Sequence, residues 1–183
     1  EYSNFLSKLR CFDPTHVTEE DKTRSDLYKS EFKRKKLKQN NKSLSKWIET
    51  LGLEIIIENI NNKNSPRALQ LLNKTNQMNL STRRMTENEF QKWIQKKTNY
   101  LWTVRAKDKF GDYGIIGILS MAIKEKDAYL VDFVLSCRVV GRFIEETIIQ
   151  FLKDFCHKKN IKKINGTYIK TQKNTLCYQF LQK

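Results

Sequence analysis

The chain has 183 residues and a formal net charge of +15, from 35 lysines and arginines against 20 aspartates and glutamates. This length holds one domain with its own core plus a small additional segment, and it excludes a second full domain. No apolar run approaches about 18 residues, so no membrane span is predicted. The four cysteines are scattered without Cys-x-x-Cys spacing and only two histidines accompany them, which disfavours a structural zinc site.

Cellular context follows from the start of the chain and from its cysteines. Because the first residue is Glu1 and nothing near it resembles a signal peptide, we expect the chain to be excised or processed from something longer. The unpaired cysteines predict free thiols in a reducing compartment, the cytoplasm.

Positive charge concentrates in residues 29–46 and again in residues 153–173. This excess predicts an anionic partner or a strongly solvated surface. Nucleic acid is disfavoured as that partner, because no RNA-recognition signature, zinc finger or helix-turn-helix is present and aromatic residues are not interleaved with the basic run.

The first third of the chain predicts two helices and a strand. Thr18 as N-cap, acids after it and lysines towards the far end predict a long helix over residues 19–39. Ser43 then caps a short amphipathic helix that Gly52 ends. A strand over residues 53–58 follows.

Ser65 as N-cap and Pro66 at the first helical position predict the next helix. The following segment, residues 74–84, is polar except for Met78 and Leu80. It either satisfies its own backbone or lines a polar site where Arg83 and Arg84 favour a phosphate or carboxylate. A Thr86 and Glu89 capping box then opens another helix.

Three strands come next, over residues 100–106, 113–123 and 128–136. The turns between them are short, which predicts an antiparallel meander. A helix over residues 142–157, a strand over residues 163–169 and a helical piece from Asn174 complete the chain.

The joint between the third meander strand and its helix carries Cys137, Arg138, Gly141 and Arg142. A strand running directly into a helix would place backbone N–H groups, positive charge and a thiol at a helix N-terminus, where a phosphate or pyrophosphate can bind. Alternatively, Cys137 is a small core residue and Gly141 a turn glycine. Spacing alone leaves both interpretations open.

This order of elements is that of the N-acetyltransferase-like (GNAT) α/β fold, a mixed, largely antiparallel sheet flanked by helices. We assign that domain to residues 43–183 and an N-terminal helical extension to residues 1–42. The stretch Arg138-Val-Val-Gly-Arg-Phe143 resembles the coenzyme A pyrophosphate loop of GNAT enzymes, Gln/Arg-x-x-Gly-x-Gly/Ala. It departs at Phe143, which replaces a small residue.

Three separated segments also resemble the C-terminal half of FkbH-like proteins: residues 74–84, residues 107–112 with 114–117, and residues 133–138. The resemblance implies transfer of a small, glyceryl-type acyl unit through a thioester on Cys137 to an acyl carrier protein, in polyketide or related secondary metabolism. It also implies an upstream HAD-type phosphatase domain, with residues 1–42 as the former interdomain linker. No Asp-x-Asp phosphatase motif is present, so phosphatase chemistry is not carried over.

The resemblances imply one catalytic residue, Cys137, and no metal or tightly bound cofactor; coenzyme A or the phosphopantetheine of a carrier are the groups the site would receive. The residues predicted to bind substrate or phosphate are Arg138, Gly141, Arg142, Asn76, Gln77, Thr82, Arg83, Arg84 and Asn174.

Direct amine acetylation is weakened by the last helix. GNAT enzymes ordinarily have a tyrosine seven residues after an asparagine there, but Leu181 stands seven residues after Asn174, and Tyr178 substitutes only if the helix is rotated. The chain also ends before the last two strands of a complete GNAT domain, so we expect a truncated fold or one completed by a partner.

Three functions therefore remain: an acyltransferase acting on a carrier protein, a non-catalytic module that binds a carrier or coenzyme A, and a basic nucleic-acid-binding domain. Carrier proteins are usually acidic, so a basic surface would steer their docking.

Overall fold

The computed structural model describes residues 24–39, 41 and 43–182, and the chain divides into two compact units, Glu1–Asn40 and Asn41–Lys183. The first unit contains helix α1, Arg24–Gln39. Its end agrees with the predicted helix over residues 19–39, whereas the predicted start lies outside the described residues. Within the described ranges, no helix combines the length and apolar character needed to cross a membrane.

The second unit contains the α/β fold. Its elements in chain order are α2 (Leu44–Leu51), β1 (Glu54–Asn59), α3 (Ser65–Lys74), β2 (Met78–Asn79), α4 (Glu87–Ile94), β3 (Asn99–Asp108), β4 (Gly111–Lys124), β5 (Asp127–Leu135), a 3₁₀ turn (Cys137–Val139), α5 (Ile144–Lys158), β6 (Lys163–Gly166) and α6 (Thr175–Leu181).

The six strands form one mixed sheet in which β1, β3, β4 and β5 are antiparallel neighbours. Strand β5 then has two different neighbours along its outer edge. Its first half pairs in parallel with β6, Asp127 opposite Lys163, and its last two residues pair antiparallel with β2. The predicted meander and the predicted mixed, largely antiparallel sheet are confirmed.

Helices cover the two faces of the sheet. On one face, α5 and α6 bury apolar residues such as Ile148 and Leu152 in the larger core cluster, where Trp102 meets the rings of Phe151 and Phe155 edge-on. On the other face, α3 and α4 pack in a smaller cluster around Phe90. Alternation along β3 and β4 supplies side chains to both clusters, as expected for a sheet covered on both sides.

Local capping follows the sequence prediction at three helix ends. The Ser43 hydroxyl accepts from Lys46 N–H, and Gly52 ends α2 in the left-handed region with φ 61°. Thr86 and Glu89 form the predicted capping box of α4. The Thr86 backbone N–H donates to the Glu89 carboxyl group, and this hydrogen bond lowers the pKa of Glu89.

The structure corrects four details. The N-cap of α3 is Asn64 rather than Ser65. The Asn64 side chain makes no cap hydrogen bond; it donates to the Asn59 carbonyl and to the Thr103 hydroxyl, and so joins the preceding loop to β3. The predicted strand over residues 163–169 is the shorter β6. Strand β5 does not run directly into α5, since the 3₁₀ turn intervenes, and β2 was not predicted.

Candidate functional site

The three segments behind the FkbH-like resemblance meet at one end of the sheet. Met78 of β2 pairs with Leu135 of β5, and the strands are antiparallel, so Gln77 and Ser136 leave the sheet at the same end. The Ser136 N–H donates to the Ile116 carbonyl at 2.7 Å, which places the start of β4 beside them. Residues more than fifty positions apart in sequence thus surround the turn that follows β5.

Cys137 opens that turn and its thiol is exposed. Ser136 is extended, Val139 N–H donates to the Ser136 carbonyl at 3.1 Å, and the Val139 side chain is buried in the larger core. The turn is therefore anchored by Ser136 before the thiol and by Val139 after it, while the thiol itself is exposed to solvent. The alternative in which Cys137 is a core residue is wrong.

The two arginines of the turn are held by Tyr113. Arg142 is 5% exposed, lies between the rings of Trp47 and Tyr113 at 5.4 and 5.2 Å, and donates to the Tyr113 hydroxyl. That hydroxyl donates in turn to Asp108 Oδ2 at 2.6 Å. Arg138 Nη2 donates to the Tyr113 carbonyl at 2.7 Å. Both guanidinium groups thus hold the turn against the β3–β4 hairpin.

The segment Gly141–Glu145 forms the N-terminal end of α5. Gly141 has φ 75° and Phe143 has φ 59°, both in the left-handed region, and Phe143 gives the helix no side-chain cap. The Gly141 N–H, one of the groups expected to hold a phosphate, instead donates to Glu145 Oε1 at 2.9 Å. Glu145 is 4% exposed, and its other carboxyl oxygen has no hydrogen-bond partner among the described residues. An acid in the first turn of a helix interacts favourably with the helix dipole. Here that acid, Glu145, takes the Gly141 N–H that an external anion would use.

In this arrangement the Gly141 N–H is not available to the diphosphate of coenzyme A. A diphosphate needs free backbone N–H groups and positive charge at the turn. Here a carboxyl group of the protein takes the Gly141 N–H, and the Arg138 and Arg142 guanidinium groups point to Tyr113.

Residues 74–84 mostly satisfy one another. Arg84 donates to the carbonyls of Leu72, Thr75 and Arg83 and to the Asn76 side chain. Thr82 has φ 52°, and its N–H donates to the buried Asn79 side chain at 2.8 Å. Asn76 and Gln77 are exposed at the site end of the segment. For Thr82 and Arg84, the structure agrees with the interpretation in which the segment satisfies its own hydrogen-bonding groups. Phosphate binding by this segment stays a prediction.

Arg83 fixes the segment to β5. Its guanidinium donates to both oxygens of Asp132, which is fully buried, and lies 5.0 Å from the Trp93 ring centroid. Ser120, opposite Asp132 on β4, donates to the same carboxyl group. Sequence reasoning missed Asp132, although a single acid inside an apolar strand signals a buried partner.

Asn174 closes the other side of β2. Its Nδ2 donates to the Asn79 and Ile169 carbonyls at 3.1 and 2.8 Å, and its Oδ1 accepts from Thr171 N–H and the Tyr168 hydroxyl. The residue is fully buried. Its amide therefore joins β2 to the chain after β6, and the predicted substrate contact is left to experiment.

Among the described residues, the other histidine and cysteine side chains do not add to the site. His157 lies exposed in the last turn of α5, and His16 is outside the described residues. Burial raises the pKa of Cys156, and raises that of Cys177 to about 11. Across the described part of the chain, no three His, Cys, Asp or Glu side chains are grouped to hold a metal ion.

Comparison with known proteins identifies the fold. No family model matches the sequence, and no curated protein matches it. Solved structures do match. A domain from Methanocaldococcus jannaschii shares 10% identity over 71% of this chain and 88% of its own, with a TM-score of 0.55. The ribosomal-protein-S18-alanine N-acetyltransferase from Escherichia coli shares 10% identity over 70% of this chain and 76% of its own, with a TM-score of 0.52.

An aminoglycoside N-acetyltransferase, AAC(6')-Iy in complex with coenzyme A, shares 12% identity over 72% of this chain and 86% of its own, with a TM-score of 0.51. At such identities the likeness concerns the fold alone. The chain has the GNAT acetyltransferase fold, as the order of its elements predicted.

Proposed function

We propose that this chain is an acyltransferase of the GNAT fold in which Cys137 carries a small acyl unit as a thioester and passes it to the phosphopantetheine thiol of an acyl carrier protein. The observation that carries the proposal is the exposed Cys137 thiol at the point where three distant segments converge. The acetyltransferases with this fold support acyl transfer as the reaction class.

The chemistry consists of two exchanges at one carbonyl carbon. The Cys137 thiolate attacks the acyl carbonyl of a thioester or acyl phosphate donor, the new S–C bond forms, and the donor's thiolate or phosphate leaves. The carrier's thiolate then attacks the enzyme thioester, and Cys137 leaves as thiolate and regains a proton. Solvent exposure lets both partners reach the sulfur.

A cysteine route fits this chain better than direct transfer to an amine. The position expected to hold a tyrosine in the last helix is Leu181, and Tyr178 is an exposed residue whose hydroxyl accepts from Gln182 Nε2 at 2.6 Å. Asn174 is engaged in holding β2. The net charge of +15 also favours association with an acidic carrier protein.

Intact-protein mass spectrometry tests the nucleophile. The chain would be incubated with acetyl- and glyceryl-N-acetylcysteamine thioesters and with acetyl phosphate. We expect the native chain to gain the mass of one acyl group less one hydrogen, Cys137→Ala to gain none, and the matched control Cys177→Ala to label like the native chain, because Cys177 is buried. Equal labelling of Cys137→Ala would exclude the thioester route.

Partner choice is tested separately by fluorescence anisotropy at about 0.15 M salt, where screening is physiological. Holo-carrier, apo-carrier and a random oligonucleotide are titrated in parallel. We expect holo-carrier to bind more tightly than apo-carrier. Tight oligonucleotide binding without preference for the holo form would favour the nucleic-acid alternative. Preference for the holo-carrier without any acyl adduct would favour a non-catalytic docking module.

A further inference from the structure

The N-terminal turn of α5 contains an acid that competes with any external anion. Glu145 lies four residues after Gly141 and accepts its N–H at 2.9 Å. The two residues belong to one short turn, so the contact costs little chain entropy to form. An external phosphate that used the same N–H would first have to displace the Glu145 carboxyl group.

Burial places the Glu145 carboxyl group inside the turn. Glu145 is 4% exposed, and Oε2 is buried with no hydrogen-bond partner among the described residues. A buried oxygen without a donor is costly and is retained only where the surroundings hold it in place. The carboxyl group therefore faces into the turn rather than towards solvent, and a second anion beside it would be repelled by a like charge at short range.

The two nearby guanidinium groups have partners of their own. Arg142 is stacked between Trp47 and Tyr113, and Arg138 donates to the Tyr113 carbonyl. The next acid of the same helical turn, Glu146, is exposed and so differs from Glu145 in burial but not in charge. That difference provides a matched pair for experiment.

We infer that Glu145 is a specificity-determining residue: by occupying the Gly141 N–H it excludes the diphosphate of coenzyme A, and so restricts the thiol partners of Cys137 to pantetheine arms without a diphosphate, such as that of a carrier protein. The consequence for the reaction rests on the proposed acyl transfer. The binding preference itself does not, because it is a property of the turn.

The test is calorimetric titration of coenzyme A and of pantetheine, which lacks the diphosphate, into four proteins that all carry Cys137→Ala: the parent, Glu145→Ala, Glu145→Gln and Glu146→Ala. With the thiol removed, acyl transfer cannot affect the result. We expect Glu145→Ala to bind coenzyme A about tenfold or more tightly than the parent, as for a recovered hydrogen bond to a charged group. Glu145→Gln, which loses only the charge, should gain less.

The controls separate the turn from general electrostatics. Glu146→Ala should change the affinity for coenzyme A by less than about twofold, because exposed charges are screened, and pantetheine should bind all four proteins alike. Circular dichroism establishes folding; if Glu145→Ala does not fold, the comparison of Glu145→Gln with Glu146→Ala decides. Equal gains at positions 145 and 146, no gain at position 145, or a parent that already binds coenzyme A as tightly as the variant would overturn the inference.

Discussion

Residues 74–84 and residues 136–145 lie at the same end of the sheet, yet the structure uses their polar groups in different ways. In the first segment, β2 pairs with β5, and the polar groups around it bond largely to one another. In the second, the chain leaves the sheet, and a thiol stays exposed while an acid folds into the turn. The first segment contains a strand that pairs with β5, whereas the second lies beyond the end of β5, and this difference separates them.

The largest expected effect concerns the ion pair that holds the first segment. Replacing Arg83 by Met leaves the fully buried Asp132 carboxyl group with one donor fewer. We expect the free energy of unfolding, measured by urea titration, to fall by about 3 kcal/mol, the lower end for a broken buried pair because Arg83 is partly exposed.

The matched control is Arg105→Met. Arg105 donates to the Asp112 carboxyl group, and this hydrogen bond raises the pKa of Arg105. Burial raises the pKa of Asp112, but the hydrogen bonds from Arg105 and Gly114 and the nearby positive charges together outweigh burial and lower that pKa. Both side chains are more than 40% exposed, so the loss should stay under about 1 kcal/mol. Equal losses for the two variants would contradict the distinction drawn between the segments.

The second expectation compares thiols. Burial raises the pKa of Cys177 to about 11, so at pH 8 only about one Cys177 in a thousand is a thiolate. Cys137 is exposed, and we expect iodoacetamide to modify it about a hundredfold faster than Cys177 in the folded protein. Peptide mass spectrometry over time measures both rates. In denaturant the two should react alike; a difference that persists there would show that folding is not its cause.

A third, smaller effect is expected at Asn174. Its amide makes two donor and two acceptor contacts around β2. Asn174→Ala should lower the free energy of unfolding by about 2 kcal/mol, because buried carbonyls lose their donors. The exposed Asn76, which accepts from Arg84, serves as control, and Asn76→Ala should cost less than about 0.5 kcal/mol. Loss of acyl labelling by a folded Asn174→Ala protein would instead support the predicted substrate contact.

The smallest effect is expected at Gly141. Its φ is 75°, and a Cβ there would meet no atom within 4 Å, so backbone conformation alone opposes a side chain. We expect Gly141→Ala to cost about 1 kcal/mol in urea unfolding, the penalty for a left-handed alanine. Gly166→Ala is the control, since its φ is not positive and its Cβ would lie 3.9 Å from Leu130 Cβ. A neutral Gly141→Ala would mean that the turn relaxes.

Sequence reasoning predicted the elements well where the signal is local. The Ser43 and Thr86 caps and the Gly52 stop depend on residues a few positions apart, and the meander is indicated by the short turns between successive strands. The prediction of Ser65 as the N-cap of α3 was wrong by one residue. The N-cap is Asn64, and its side chain donates to Thr103, which lies thirty-nine positions away in the sequence.

The sequence by itself therefore determined the order of the main helices and strands, and with it the GNAT fold, together with the position of the thiol at the end of β5, but not the short strand β2 or the 3₁₀ turn. Tertiary structure alone decided what the charged groups of the site do: Arg142 stacks on Trp47, Arg83 pairs with Asp132, and Glu145 takes the Gly141 N–H. The physical reason is that a charge near an interior is costly without a partner. For Arg142 and Arg83 that partner lies on a distant segment that the fold brings near, whereas for Glu145 it lies within the same turn.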